Sequence, residues 1–513
     1  MNLTNLNYAP VLVVGAGIMG AGIAQVAAQA GHPVWLHDTR EGAAAQAKAQ
    51  LAKTLQGLVD KGKLAADVAA AALARITPIS AVAEAASAKV VVEAIVENLD
   101  VKRGLFRELE ALVADDAILA TNTSSISVTA IANGLRLPGR LVGMHFFNPV
   151  PLMKLVEVVS GLHTEPAVAE AIFALSQAWG KVPVHAKSTP GFIVNRIARP
   201  YYAETLALLL EQAATPAVLD ACLRAAGFRM GPCELMDLIG HDTNFAVTNS
   251  VYGANFQDKR YSPSGVQRDL VDAGWLGRKS GRGFYTHPQT EAEKTLPAAA
   301  AQSAPGVVSV TGRCAWATRI AEAMAAHGAR VTRNERNPEV SISFACSQGG
   351  EGRVVVTDGR SAAQRASELQ QPNVAVFDWS VADMAPGAVM AYAVAGQATP
   401  AFAAQAAGVL AAAGWHPLRT ADAPGLVVAR SIAMLINEAA DAVQQGVCTP
   451  EAADAAMKLG VNYPAGPFEW LQRVGTAPVV HLLDALDSHY RGERYRVSPW
   501  LRQRLYTTGA HPA

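Results

Sequence analysis

One stretch near the start, Val11 to Asp38, restricts the fold more than any other: VLVVGAGIMGAGIAQVAAQAGHPVWLHD. Its opening apolar run has no polar break, which predicts a strand buried on both faces. Gly15, Gly17 and Gly20 follow in the spacing GxGxxG, then an Ala-rich helix, a second strand and Asp38 at its end. Glycines at those places permit a tight turn and let a helix N-terminus approach a pyrophosphate closely. With the strand before, the helix after and an acid about 20 residues on, the stretch reads as a dinucleotide-binding unit. Asp38 would accept a ribose hydroxyl and repel a 2′-phosphate, favouring NAD over NADP. Arg40 is the one neighbour suited to NADP.

From Glu41 to Arg75 the chain is rich in Ala, Gln, Lys and Leu at helical spacing, broken around Asp60-Lys61-Gly62. This predicts a helical hairpin inserted into the doubly wound sheet, its lysines forming a solvated face or a rim for an anionic ligand. The run VVVEAIVEN, Val90 to Asn98, predicts a buried strand with Glu97 at its end. In open α/β sheets ligands bind beyond the carboxyl ends of strands. The same logic selects Asn122 and Ser124, past the strand in ILATNTSS, and His145 after LVGM. Twelve residues beyond His145, Glu157 lies inside a second apolar run, KLVEVV. A carboxylate among β-branched residues is costly to bury without a partner. An imidazole backed by a carboxylate is a general-base pair, although a core histidine and an edge-strand glutamate would show the same spacing.

At STPGFIVNRI the pattern changes. A Pro190-Gly191 turn leads into an apolar helix with Asn195 and Arg196, and helical periodicity continues to about Leu276. A Gly-rich basic loop, GWLGRKSGRGFY, then carries Lys279. Composition narrows the rest. Of 513 residues 50% are apolar and 17% charged, with zero net charge and no basic run, so nucleic acid is not an expected partner. Five scattered cysteines without a CxxC fit a reducing, cytoplasmic compartment and give no metal-ligand cluster. The N-terminal MNLTNLNYAP shows no export signal. The uncharged stretch Met384 to Leu418 is mostly Ala and Gly, is broken by Pro400, and reads as strand, loop and helix rather than a membrane span.

Together the motifs GAGIMGAG, AIVEN, NTSS, HFFNP, KLVEV, PGFIVNR and GRGFY, in this order over residues 8 to 287, resemble the 3-hydroxyacyl-CoA dehydrogenase family. The resemblance implies NAD-dependent oxidation of an (S)-3-hydroxyacyl-CoA thioester, with no metal. It makes His145 the general base, Glu157 its orienting partner, and Ser124 and Asn195 the holders of the substrate's oxygen atoms. Gly15, Gly17, Ile18, Met19, Gly20, Asp38, Glu97, Lys102, Asn122, Ser124 and Lys279 would line the NAD site. Thr54, where relatives usually carry Ser, and Lys61 would touch CoA from the hairpin. Two-unit relatives resemble the 3-hydroxybutyryl-CoA and 3-hydroxyadipyl-CoA dehydrogenases of fatty-acid and aromatic-acid breakdown. A dehydrogenase with a lysine base is disfavoured by HFFNP and NTSS. A non-catalytic NAD-binding relative is disfavoured because Ser124, His145, Glu157 and Asn195 are all present.

The second half reads as a worn copy. Setting Gly312 on Gly15 brings Gly328 onto Gly31, Val331 onto Val34 and Glu335 onto Asp38, but Cys314 and Ala317 replace Gly17 and Gly20. Side chains there predict that no nucleotide binds. An offset of 234 carries Pro166, Pro190, Gly191, Arg196 and Pro216 onto Pro400, Pro424, Gly425, Arg430 and Pro450, while Asn195 falls on Ala429. HFFNP does not recur. The expected organisation is a Rossmann-type NAD-binding domain (1–188), an all-helical domain (189–287), a linker (288–306), a degenerate, shortened Rossmann-like domain (307–420) and a second helical domain (421–513). The two helical domains are expected to pair within one chain as a pseudo-dimer, with further homo-oligomer contacts left open.

Overall fold

The computed structural model describes residues 6–290, 293, 295–297, 305–381 and 387–507. Residues 1–5, much of the expected linker and positions 384–386 of the uncharged stretch lie outside the described residues. The chain forms two compact units, Met1–Arg196 with Gln445–Asn462, and Ile197–Gln444 with Tyr463–Ala513.

The first unit is built on β1 (Val11–Val14), β2 (Val34–His37), β3 (Ile76–Ile79), β4 (Val90–Glu93), β5 (Ile118–Thr121), β6 (Leu141–Phe146), β7 (Leu155–Ser160) and β8 (Val182–Lys187). They form one sheet in the order β3-β2-β1-β4-β5-β6-β7-β8. Pairing is parallel from β3 across to β6, antiparallel between β6 and β7, and parallel again to β8. The chain leaves β1 toward β2 on one side and returns to β4 on the other, so the carboxyl ends of β1 and β4 flank the switch point. All four residues of β1 and Val90–Val92 of β4 are buried, as strands covered on both faces require. The expected hairpin is present as helices Ala43–Asp60 and Ala66–Arg75, between β2 and β3. Residues 445–462, assigned from sequence to the second helical domain, pack with this unit. Helix Pro450–Val461 lies against β7, and a side chain added at Gly460 would come within 2.7 Å of Leu155 Cδ2.

Two strand assignments shift. β4 ends at Glu93, so Glu97 stands in the following loop rather than at a strand end. β6 continues through Phe146, so His145 lies inside the strand, where antiparallel pairing sets it directly opposite Glu157.

In the second unit, helices from Arg199–Leu210 to Gly265–Asp272 precede a smaller sheet: β9 (Val307–Thr311), β10 (Arg330–Asn334), β11 (Ser341–Ala345), β12 (Glu351–Val356), β13 (Val374–Phe377), β14 (Ala388–Val394) and β15 (Trp415–Arg419). The order is β10-β9-β11-β12-β13-β14-β15, with β11 antiparallel to both neighbours. Helices Val428–Gln444, Pro467–Val474, Thr476–Tyr490 and Pro499–Thr507 complete it. This is the expected fold class: a Rossmann-type domain, a helical domain, a reduced Rossmann-like domain and further helices. Among the described residues no helix is long and apolar enough to cross a membrane. All five cysteines are free thiols.

A buried ionic cluster ties the helices of the second unit together. Glu204, fully buried, accepts from Arg430 Nε at 2.8 Å, Arg494 Nη2 at 2.8 Å and the Tyr495 hydroxyl at 3.0 Å. Burial alone would push this carboxyl up, but the two guanidinium groups hold it below its ordinary value. Glu204→Ala would strip a charge partner from Arg430, itself fully buried. The expected loss is about 3 kcal/mol, read as a lowered thermal midpoint. An unchanged midpoint would show that Glu211, the other carboxylate on Arg430, suffices alone.

Candidate active site

Glu157 is the polar centre of the first unit. Its Oε2 lies 2.5 Å from His145 Nδ1, and its Oε1 accepts the backbone N–H groups of Ile193 and Val194, both at 3.0 Å. Both side chains are buried, Glu157 completely. The turn that delivers those amides needs positive φ at Gly191 (77°) and at Phe192 (48°). A side chain on Gly191 would also meet Arg196 N at 2.9 Å. A carboxylate accepts only, so Nδ1 carries the hydrogen, and in the neutral form of the ring the lone pair lies on Nε2. The rings of Phe147 and Phe192 pack on the imidazole, with centroids 4.5 and 5.8 Å away. The Cys448 thiol nearby is pushed up to about 12, first by burial and then by the Glu157 charge.

A second carboxylate organises the loop after β5. Glu97 Oε1 accepts from the Thr123 hydroxyl (2.6 Å), Ser124 N (3.0 Å), Ser125 N (3.2 Å) and the Ser125 hydroxyl (3.1 Å). Burial pushes its carboxyl up, but Thr123 and Lys102 outweigh this and lower it. Ser124 is therefore held by its backbone, and its hydroxyl stands 3.4 Å from Glu97. Asn195 Nδ2 lies 3.4 Å from the Ser124 carbonyl, which brings the two expected substrate-holding residues together. Asn122 Oδ1 accepts Phe146 N at 2.9 Å, bracing the loop against the strand that carries His145.

Lys102 is buried, with Nζ 2.6 Å from Glu93 and 3.3 Å from Glu97. Glu93, fully buried, also accepts the Thr121 hydroxyl at 2.7 Å and Ile95 N at 2.7 Å. Sequence reasoning passed over Glu93. The signal was an acid inside a valine run, the same anomaly that identified Glu157. Thr54 is exposed on the hairpin, its hydroxyl bonded to Gln50 O at 3.0 Å, and Lys61 is exposed at the end of that helix. Lys279 belongs to the second unit, where it pairs with Asp242 at 2.5 Å. Among the described residues no acidic, histidine or cysteine group could hold a metal ion.

The glycine turn fits a dinucleotide. Gly15 has φ 105° and a side chain there would lie 2.4 Å from Ala94 O; one on Gly20 would strike Gly15 O at 1.8 Å. Those two glycines serve the turn and the close packing of helix on strand. A side chain on Gly17 would meet nothing within 4 Å, so this glycine keeps open the face where a pyrophosphate would lie, next to Ile18 and Met19. Asp38 accepts Ala16 N at 2.8 Å and pairs with Arg40 Nε at 3.0 Å. That pairing holds its carboxyl at about 2 and engages the one basic side chain that could have served NADP.

The corresponding turn of the second unit keeps its shape but not its opening. Gly312 has φ 123° and its N–H reaches Asn334 O, as Gly15 N reaches His37 O. Where Gly17 leaves its face bare, the matching position carries Cys314, exposed, and Ala317 stands in place of Gly20. Because β11 runs antiparallel to β9, its carboxyl end points away from this turn. At the place of His145 stands Asp378, aligned with Ala391 as His145 is with Glu157. It accepts the amides of Val427 (2.9 Å), Val428 (2.7 Å) and Ala429 (2.8 Å). The carboxylate over the turn survives, but the imidazole is gone. Calorimetric titration should therefore saturate at one NADH per chain; two equivalents would contradict the closed second turn.

Comparison with known proteins agrees with this geometry. A family model described as 3-hydroxyacyl-CoA dehydrogenase, NAD binding domain, matches residues 10–189. Its C-terminal domain counterpart matches 191–287 and again 425–509. A 3-hydroxybutyryl-CoA dehydrogenase reduced Rossmann-fold domain matches 354–424. The 3-hydroxyadipyl-CoA dehydrogenase of Escherichia coli (strain K12) is 42% identical over 500 residues, 97% of this chain and 98% of its own. Human mitochondrial hydroxyacyl-coenzyme A dehydrogenase is 41% identical over 285 residues, covering 54% of this chain and 90% of that protein. The crystal structure of 3-hydroxybutyryl-CoA dehydrogenase from Escherichia coli K12 substr. MG1655 matches with TM-score 0.86 at 40% identity, over 99% of this chain and all of that one.

Proposed function

The chain belongs to the 3-hydroxyacyl-CoA dehydrogenase family and is an NAD-dependent oxidoreductase, and from that premise we propose how its residues act and on what. The substrate is an (S)-3-hydroxyacyl-CoA of the 3-hydroxybutyryl or 3-hydroxyadipyl kind, the two acyl groups that its full-length relatives' names carry. His145 is the general base and Glu157 orients it. The observation that carries this reading is the 2.5 Å contact from His145 Nδ1 to a carboxylate otherwise satisfied by two backbone amides.

Gly15, Gly17, Gly20, Ile18, Met19 and Asp38 would hold NAD, which when bound would supply the acceptor for the substrate's hydride. Nε2 of His145 takes the hydroxyl proton, and Glu157 stabilises the imidazolium that forms. Ser124 and Asn195 orient the hydroxyl and thioester oxygens, with Glu97 and Asn122 fixing the loop beneath Ser124. Lys102 pairs with both Glu93 and Glu97 at the cofactor end of the sheet, and Lys279 would border the cofactor. Thr54 and Lys61 meet CoA. The single-site organisation follows: 1–188 and 189–287 supply the chemistry, while 307–420 and 421–513 supply packing. Repetition in the second unit supports a pseudo-two-fold pairing of helical segments. Tyr261 donates to Glu438 at 2.6 Å, and 234 residues on from each donor and back from each acceptor, Tyr495 donates to Glu204 at 3.0 Å.

His145→Gln should lower kcat by on the order of 10²–10⁴ with NADH affinity nearly unchanged, measured on 3-hydroxybutyryl-CoA and 3-hydroxyadipyl-CoA. A variant that retains most of its kcat would remove His145 from this role.

A further inference from the structure

The offset of 234 residues also governs which helix covers which sheet. β7, which carries Glu157, matches β14, which has Ala391 at that place, and helix Pro216–Ala225 matches helix Pro450–Val461. Each helix lies on the strand of the other copy: Pro450–Val461 on β7 in the first unit, Pro216–Ala225 on β14 in the second. The polar contacts repeat with the exchange. Lys187 N donates to Val447 O at 2.9 Å, and Ala421 N to Ala213 O at 2.8 Å. Arg196 Nη1 donates to Gln445 Oε1 at 2.8 Å, and Arg430 Nη2 to Glu211 Oε1 at 2.9 Å. Both members of each pair are displaced by the same offset.

The copies part where the helix meets the strand. Gly460 is buried inside helix Pro450–Val461 and lacks the positive φ that would call for glycine. Glycine is the poorest helix former after proline, so close approach is what it supplies there. A side chain at Gly460 would stand 2.7 Å from Leu155 Cδ2, 3.1 Å from Val194 Cγ2 and 3.6 Å from Phe147 Cε1. These three neighbours border the buried pair. Leu155 lies two residues before Glu157 on β7, Val194 N donates to Glu157 Oε1, and the Phe147 ring packs on the His145 imidazole. In the other copy Ala226 stands for Gly460 and Val389 for Leu155. One carbon is carried by the strand in the first copy and by the helix in the second.

We propose that the segment Gln445–Val461, which belongs to the second copy, positions the His145–Glu157 pair of the first sheet, chiefly through Gly460. Close-packed neighbours transmit a shift of one carbon. Pressure on Val194 moves an amide that Glu157 accepts, and pressure on Phe147 moves the ring that rests on His145. Gln445 holds Arg196, next to Asn195, from the same segment. The second copy then has a part in the chemistry although its own sheet has lost the imidazole. This rests on the reading of His145 as the base and Glu157 as its orienting partner.

The test uses the full chain. Gly460→Ala is expected to lower kcat at least about tenfold, as small misplacements of reacting groups do, with NADH affinity nearly unchanged. It should also shift the ¹⁵N signals of the His145 ring, which a role in stability alone would leave in place. Adding Leu155→Val moves one carbon from strand to helix, as in the other copy, and is expected to restore both kcat and the ring signals. If Gly460→Ala does not fold, Gln445→Ala decides, because Gln445 is exposed. A lowered kcat with shifted ring signals then supports the proposal, and parental values of either overturn it. If the base reading itself is wrong, His145→Gln keeps its kcat. If only the positioning is wrong, His145→Gln loses kcat while Gly460→Ala keeps it. A folded Gly460→Ala with parental kcat or parental ring signals, or a loss that Leu155→Val does not relieve, overturns the proposal.

Discussion

A fully buried carboxylate, Glu157, must be satisfied from every side or it would destabilise the sheet that contains it. The protein meets that demand with His145 across the β6–β7 ladder and with the Ile193 and Val194 amides beyond the Gly191 turn. The same contacts that make the charge tolerable fix the imidazole's tautomer and ring plane. Structural need and the proposed catalytic geometry are thus one arrangement. The antiparallel insertion of β7 into an otherwise parallel neighbourhood is its topological source, because only that direction puts residue 157 opposite residue 145.

The second sheet keeps the carboxylate over the turn without an imidazole. Asp378 takes over the turn amides from the neighbouring strand, and burial raises its carboxyl to about 6 despite four backbone N–H donors. The turn at Gly425 and Leu426 keeps positive φ (76° and 52°), matching Gly191 and Phe192. What is lost is the imidazole, the open glycine and the parallel strand beside the turn. Packing of helix over sheet depends on the amide–carboxylate cap; the proton transfer proposed for His145 depends on the imidazole, and only the cap is kept in the second sheet.

The sequence carried most of this. GxGxxG with its strand, helix and Asp38 defined the nucleotide end, and the 234-residue offset exposed the duplication before any coordinate. His145 and Glu157 were legible as a pair because an acid among valines demands a partner. Less legible were features that depend on strand direction and length. Strand propensity continues through AIVEN, so Glu97 looked like a strand end although β4 stops at Glu93. Glu93 carried the same signal as Glu157, an acid among valines, but its partner Lys102 lies nine residues on in the next helix and reaches back to it only in the fold. The reversal of β11 was not read from the sequence, because five residues, SISFA, say little about strand direction. The placement of helix Pro450–Val461 in the first unit was equally invisible, because nothing in a helix's own sequence says which sheet it covers.

The central claim, that Glu157 sets the proton on His145, is tested most directly by ¹⁵N NMR of histidine-labelled protein, with the His145 signals assigned by their absence in His145→Gln. The account predicts a neutral ring protonated at Nδ1 and bare at Nε2, with that preference lost in Glu157→Gln. A ring protonated at Nε2, or a tautomer indifferent to Glu157→Gln, would contradict it.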